Sequence, residues 1–112
     1  MSTQIVSIYT FDLKSAANEQ DFIRASAKLD ELLLAVKGFH YRSLTRITEG
    51  QWQDIVFWDS EEDLKRADAM DSEPTFNEFI SFIEGASIKN RKASLYSSVY
   101  PGMESPALSQ SA

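Results

Sequence analysis

The chain has 112 residues, no cysteine and a formal net charge of −6. That length suits one domain and is too short for two. The missing thiols exclude disulfides, thiolate catalysis and Cys-based zinc sites, and they make a reducing, cytoplasmic location the natural expectation. The acidic balance argues against nucleic-acid phosphates and anionic membrane surfaces as partners. Met1-Ser2-Thr3-Gln4 leads directly into an alternating segment, with no basic start and apolar run of the signal-peptide kind. No apolar stretch is long enough to cross a bilayer.

Gln4 to Asp12 alternates and is rich in β-branched and aromatic residues. Val6 and Ile8 fall on one face, and Ile5, Tyr9 and Phe11 on the other. Apolar residues on both faces predict a central strand covered on both sides. A helix follows, with Asn18 as N-cap and Glu19 and Asp21 in the first turn, where carboxylates favour the helix dipole. Phe22, Ala25, Leu29, Leu32, Leu33 and Val36 recur at helical steps and form one buried stripe. Gly38 supplies the stop.

Phe39 to Ile47 and Trp52 to Asp59 read as a second and a third strand around the turn Thr48-Glu49-Gly50. A tight two-residue turn would force positive φ on Glu49, so a three-residue loop with only Gly50 left-handed is preferred. That loop sets the register. His40, Arg42, Leu44 and Arg46 then share a face with Trp58, Val56, Asp54 and Trp52, while Phe39, Tyr41 and Ile47 share the other face with Ile55 and Phe57.

Ser60-Glu61-Glu62-Asp63 resembles a capping box and opens a second helix to about Met70. Pro74 fits the first position of a further short helix, whose stripe is Phe76, Phe79, Ile80 and Ile83 and whose end is Gly85. Ser87 to Tyr100 reads as the last strand. The domain is expected to span residues 1–100, with 101–112 a mobile Pro-, Ser- and Ala-rich tail.

The order β-α-β-β-α-β is an α+β, ferredoxin-like arrangement with a four-stranded antiparallel sheet. Its helices cover one face of the sheet. The other face would leave large apolar residues in water, which points to a partner. A homodimer stacked sheet on sheet is the simplest solution, because one surface serves both copies.

The sequence also resembles a known family. The carriers are Phe22 in Asp-Phe-Ile at the start of the first helix, Gly38-Phe39, Trp52-x-Asp54-x-Val56-x-Trp58, and Ser60-x-Glu62-Asp63 leading to Ala67. Across about residues 4 to 100 the chain is similar to the dimeric α/β-barrel superfamily, and within it to small antibiotic-biosynthesis-monooxygenase-like domains. The resemblance implies βαββαβ protomers whose sheets close into one barrel, with a small hydrophobic or aromatic ligand between sheet and helices. It implies activities such as cofactor-independent oxygenation of phenols, with non-catalytic binding or structural modules as the alternative. The haem-degrading subgroup pairs a first-strand asparagine with a tryptophan and a histidine on helices. Here the first strand carries Ser7 and Tyr9, and the helix positions fall on Ala67 and Ile80. No haem or other cofactor is therefore expected.

His40 is the single histidine and the default general acid or base; the competing reading is an exposed strand-edge residue without a role. One histidine without clustered carboxylates lacks the ligands for a metal site. Tyr9 could donate to a substrate oxygen or pack its ring locally. Arg42 could hold a substrate carboxylate or phenolate, or simply pair with Asp54 across the sheet. Trp58 could stack on a flat substrate or serve as core, and Phe79 belongs either to a hydrophobic lid or to the packed stripe. Ser7, beside Tyr9, completes the substrate-binding candidates.

Overall fold

Alternation along the two inner strands puts bulky residues on both faces of a sheet, and the computed structural model, which describes residues 4–99 and 101, shows that sheet. Its elements are β1 (Ile5–Asp12), α1 (Glu19–Leu34), β2 (Phe39–Thr48), β3 (Gln51–Trp58), α2 (Glu61–Ala67), α3 (Pro74–Ser81) and β4 (Lys89–Ser94). Single 3₁₀ turns at Asp68–Ser72 and Gly85–Ser87 join the later elements. The strands are antiparallel in the order β2-β3-β1-β4, so β1 and β3 are central. This is the α+β, ferredoxin-like βαββαβ fold.

Local chemistry explains the boundaries. Asn18 caps α1 by accepting the Asp21 amide at 3.0 Å, and Ser60 caps α2 by accepting the Asp63 amide at 3.2 Å. Pro74 opens α3, where its missing N–H costs nothing. Gly38 has φ +85°, and a Cβ there would run into the Asp63 side chain. The Ser60 hydroxyl and the Arg66 guanidinium hold that Asp63 carboxyl below its ordinary value. Gly50 is the left-handed residue of the β2–β3 hairpin, at φ +81°, and Glu49 is not left-handed. The loop is Glu49-Gly50 rather than three residues, since Thr48 pairs with Gln51, and an irregularity between Arg46 and Thr48 keeps the expected register of Arg46 with Trp52.

Four further expectations shift. The second helix stops at Ala67, and Asp68–Ser72 tightens into a 3₁₀ turn before Pro74, which cannot continue a helix. Gly85 is not the left-handed stop of α3. The helix ends at Ser81, and the chain is turned by the Ile83 bridge to Leu13 and by the hydrogen bonds Glu84 N–H to Asp12 O and Lys14 N–H to Phe82 O, each 2.9 Å. The last strand covers Lys89–Ser94 rather than starting at Ser87 and running on past Leu95, because its ladder partner among the described residues is Ile5–Thr10 of β1; Leu95 N–H to Gln4 O, 2.9 Å, follows the ladder. Finally, an irregularity between Phe39 and Tyr41 puts Phe39, not His40, opposite Trp58. The expected tail lies, beyond Pro101, outside the described residues.

The core fills the space between the sheet and the helices. Phe11, Phe22, Leu29, Leu33, Trp52, Val56, Trp58, Leu64, Phe79 and Ile83 form its buried cluster. The opposite face carries Val6 and Ile8 of β1 and Ile55 and Phe57 of β3, with Tyr41 of β2 edge-on to Phe57 at 5.5 Å. Among the described residues no helix packs on that side, and Tyr41 is 55% exposed. No helix among the described residues is long and apolar enough to cross a membrane.

Candidate functional site: a cleft between sheet and helices

The pleat directs Tyr9 and Phe11 of β1, Arg42 of β2, and Asp54, Val56 and Trp58 of β3 toward the helices. The helices do not fill the space above them. A cavity of about 280 Å³ remains, closed by Leu29 and Leu33 of α1, Leu64 and Ala67 of α2, and Phe76, Phe79 and Ile80 of α3. Asp68, Met70 and Asp71 of the 3₁₀ turn and Ile83 and Ile88 complete the lining. The walls are mostly aliphatic and aromatic with a few polar groups, the usual make-up of a small-molecule site.

The polar centre is Arg42. Its side chain is 3% exposed and that of Asp54 7%. Arg42 Nε donates to both Asp54 oxygens, at 3.0 and 3.2 Å, and Nη2 donates to Oδ2 at 2.7 Å. Nη1 donates to Asp30 Oδ1 at 2.7 Å and to Ser26 Oγ at 2.9 Å. The guanidinium also lies 5.1 Å from the centroid of the Phe79 ring. Burial pushes the Asp54 carboxyl above its ordinary value, against the pull of the Arg42 hydrogen bonds and charge. The carboxylates of Asp54 and Asp30 raise the affinity of Arg42 for its proton despite burial. The cross-strand pair expected from the register therefore exists, and α1 contributes two further partners.

The candidates separate clearly. Tyr9, Arg42, Asp54, Trp58 and Phe79 line one cavity. Ser7 is 1% exposed, lies on the same face of β1 as Tyr9 and opposite Val56, and is not part of the lining; its Oγ accepts from Asn90 Nδ2 at 3.1 Å. His40 stands apart, with a side chain 53% exposed and Nδ1 3.7 Å from Asp59 Oδ1. The expected alignment of His40 with Arg42 and Leu44 fails because the β2 irregularity gives the place beside Trp58 to Phe39, whose ring meets Trp58 at 5.9 Å. Trp52 is core: it packs edge-on against Phe22 at 5.1 Å, and its buried Nε1 has no hydrogen-bond partner among the described residues.

Sequence reasoning missed Asp68 and Asp71. The sequence reads the start of the turn that carries them as the end of an α-helix reaching about Met70. In a 3₁₀ turn residues three apart eclipse, so both carboxylates reach the same rim. Ser26 and Asp30 were also missed. Their signal is a small polar residue set within the apolar stripe of α1, four residues before an acid. Among the described residues no three His, Cys, Asp or Glu side chains gather as a metal-binding group.

The fold is that of solved proteins described as antibiotic-biosynthesis monooxygenases and cofactor-independent oxygenases. A candidate antibiotic biosynthesis monooxygenase from Caulobacter crescentus superposes with a TM-score of 0.72 at 16% identity, over 86% of this chain and 92% of that one. The monooxygenase ActVA-Orf6 of Streptomyces coelicolor, solved with the ligand nanaomycin D, gives 0.66 at 17% identity, over 89% and 94%. SnoaB of Streptomyces nogalater, a cofactor-independent oxygenase, gives 0.61 at 12% identity, over 91% and 100%. No protein-family model and no curated protein sequence matches the chain.

Proposed function

We propose that the cleft binds a small, largely apolar aromatic molecule and that the chain oxidises it as a cofactor-independent monooxygenase-like enzyme. The observation that carries this reading is the cavity of about 280 Å³ between sheet and helices, with Tyr9, Arg42 and Asp54 as the polar groups on its sheet floor and Trp58 and Phe79 among its aromatic walls. A similarly folded cofactor-independent oxygenase, SnoaB, and a similarly folded monooxygenase solved with nanaomycin D add support. The residues suit the task. Trp58 and Phe79 offer flat faces to an aromatic ring. The Arg42–Asp54 pair is fixed by its own bonds and gives the floor a rigid polar spot. Tyr9 presents the hydroxyl that can exchange a hydrogen bond with a substrate oxygen, with Ser7 beside it on the same face of β1, held by Asn90. The site would hold and desolvate an electron-rich phenolic substrate beside dioxygen. The substrate supplies all electrons: a ring CH₂ becomes C=O, one oxygen atom enters the product and the other leaves as water.

Aerobic incubation with a panel of anthrones and quinols, followed by oxygen uptake and product mass, tests this. We expect turnover that Tyr9→Phe lowers at least about tenfold, the scale of a lost positioned hydrogen bond or proton-transfer group. His40→Ala should leave turnover unchanged, because that side chain lies outside the cleft; a matching loss there would move the chemistry back to His40. A second reading, a non-catalytic binding module, is favoured by the way Arg42 and Asp54 satisfy each other. It predicts thermal stabilisation by panel members without product.

The proposal includes a homodimer. The uncovered side of the sheet, with Val6, Ile8, Ile55, Phe57 and Tyr41, is the surface a second copy would hide. Sedimentation at micromolar concentration should give twice the chain mass of 12.7 kDa; a monomer there refutes it. The absence of cysteine supports a reducing, cytoplasmic setting.

A further inference from the structure

We propose that the cleft selects neutral or cationic aromatic molecules and rejects carboxylates and other anions. This rests on the binding reading above and names the chemical class of its ligand. The starting point is the charge balance of the walls. Arg42 is the one basic residue of the lining, against the carboxylates of Asp54, Asp68 and Asp71. Arg42 is also not free. Asp54 takes its Nε and Nη2, at distances down to 2.7 Å, while Asp30 and Ser26 take Nη1. Of its five N–H donors, one on Nη2 is left over. An incoming carboxylate would find no fork to match and would meet Asp54 and Asp30 already surrounding the cation. It would have to break a buried pair or enter unpaired, and an unpaired charge in such a site is strongly disfavoured.

The other end of the cleft points the same way. Asp68 and Asp71 lie three residues apart on one 3₁₀ turn, at the rim above Ala67 and Met70. Neither takes part in an ion pair among the described residues. The other lining residues are aliphatic and aromatic, so no further positive charge there compensates an anion. Tyr9 and Trp58, through its hydroxyl and its indole N–H respectively, are the neutral hydrogen-bonding side chains of the lining. A ligand with a hydroxyl or carbonyl can use them, and an ammonium group has carboxylates at the rim to meet. Of the two roles the sequence allows Arg42, a hold on a substrate carboxylate or phenolate and a cross-strand pair with Asp54, the structure shows the pair. The structure gives that arginine its carboxylates already.

Three probes of one shape test the inference: 2-naphthol, 2-naphthoate and 2-naphthylmethylammonium, titrated at neutral pH with the quenching of tryptophan fluorescence and calorimetry as readouts. The expected result is naphthoate binding at least about tenfold more weakly than naphthol, with the ammonium probe equal to or tighter than naphthol. Asp68→Asn combined with Asp71→Asn should narrow the naphthol–naphthoate gap and loosen the ammonium probe. Both positions are exposed on a turn, so the fold should tolerate the change. Added salt should narrow the same gap in the unaltered protein, since charges at an exposed rim are screened. Naphthoate binding as tightly as naphthol, or a gap that the double variant leaves intact, overturns the proposal. Failure of all three probes to bind would instead overturn the ligand-binding reading beneath it.

Discussion

Arg42→Ala should cost about 3–5 kcal/mol of folding stability, the usual penalty for stranding one member of a buried ion pair. The geometry allows no cheap relaxation. Asp54 sits on a central strand at 5% exposure, flanked by Trp52 and Val56, and its two oxygens are satisfied by Arg42 alone among side chains. Removing the guanidinium also strips Ser26 and Asp30 of a partner and takes a cation from the face of Phe79. Water cannot readily replace so many contacts in a cleft with mainly apolar walls. Urea unfolding should show the loss as a lower midpoint at unchanged slope. The control is Arg42→Met with Asp54→Leu. If the penalty is the orphaned charge, this double change costs far less than either single one, because apolar residues of similar volume leave nothing unpaired. A double variant as unstable as Arg42→Ala would assign the loss to packing instead.

The pH dependence sharpens the same prediction. The folded Asp54 carboxyl already titrates above its ordinary value, because burial outweighs the pull of Arg42. A raised folded value means that the folded chain holds this proton more tightly than the unfolded chain does. The stabilising contribution is therefore complete below the ordinary carboxylate value and disappears as pH rises through the folded one. Deleting Arg42 removes the groups that oppose the rise, so the shift grows and its window moves upward. The cost of Arg42→Ala should thus shrink as the solution is acidified from neutrality, when a proton neutralises the stranded acid. A cost independent of pH would show that Asp54 is not the residue left unpaired.

Much of this arrangement is legible in the chain because periodicity and local capping decide it. Asn18 and Ser60 cap where a short acceptor precedes an acidic first turn. The α1 stripe from Phe22 to Leu33 is buried as its spacing requires. The facing of Arg42, Leu44 and Arg46 to Val56, Asp54 and Trp52 is as read from the chain, though it is reached through the Gly50 turn together with an irregularity at Ile47. What escapes the pattern is what depends on a single extra residue or on tertiary reach. The irregularity after Phe39 has no glycine or proline to announce it, yet it moves His40 away from the cleft. The 3₁₀ turn at Asp68–Ser72 reads as helix until Pro74 is allowed its full effect, and it carries the rim carboxylates. The six-residue length of β4 is set by where β1 begins, which no residue of β4 records. Asp30 looks like an ordinary solvated helix position until Arg42 reaches it from a different strand.

Phe22→Ala is expected to be the most damaging apolar truncation, at about 3–5 kcal/mol. Phe22 is fully buried. Its ring stacks on Phe79 at 5.1 Å with a 28° interplanar angle, and it meets Trp52, Phe11 and Phe82 edge-on at 5.1, 6.0 and 6.0 Å. These neighbours come from β1, β3 and the end of α3, so one side chain ties α1 to every layer around it. None of them can collapse into the vacated space without tilting its own element, and the cost of such a truncation rises with the cavity that persists. A domain of this size has about 5–15 kcal/mol in total, so the variant should stay folded only near its limit. Phe22→Leu keeps most of the volume and should cost roughly 1–2 kcal/mol. The two substitutions should also separate in ligand binding. Phe79 shares one face of the cluster with Phe22 and lies below Arg42, so loosening Phe22 frees a cleft wall. Naphthol affinity should therefore fall in Phe22→Ala under conditions where circular dichroism still reports a folded chain, and should hold in Phe22→Leu. A loss below about 1 kcal/mol for the alanine variant would mean that the aromatic cluster is less tightly packed than its ring geometry indicates.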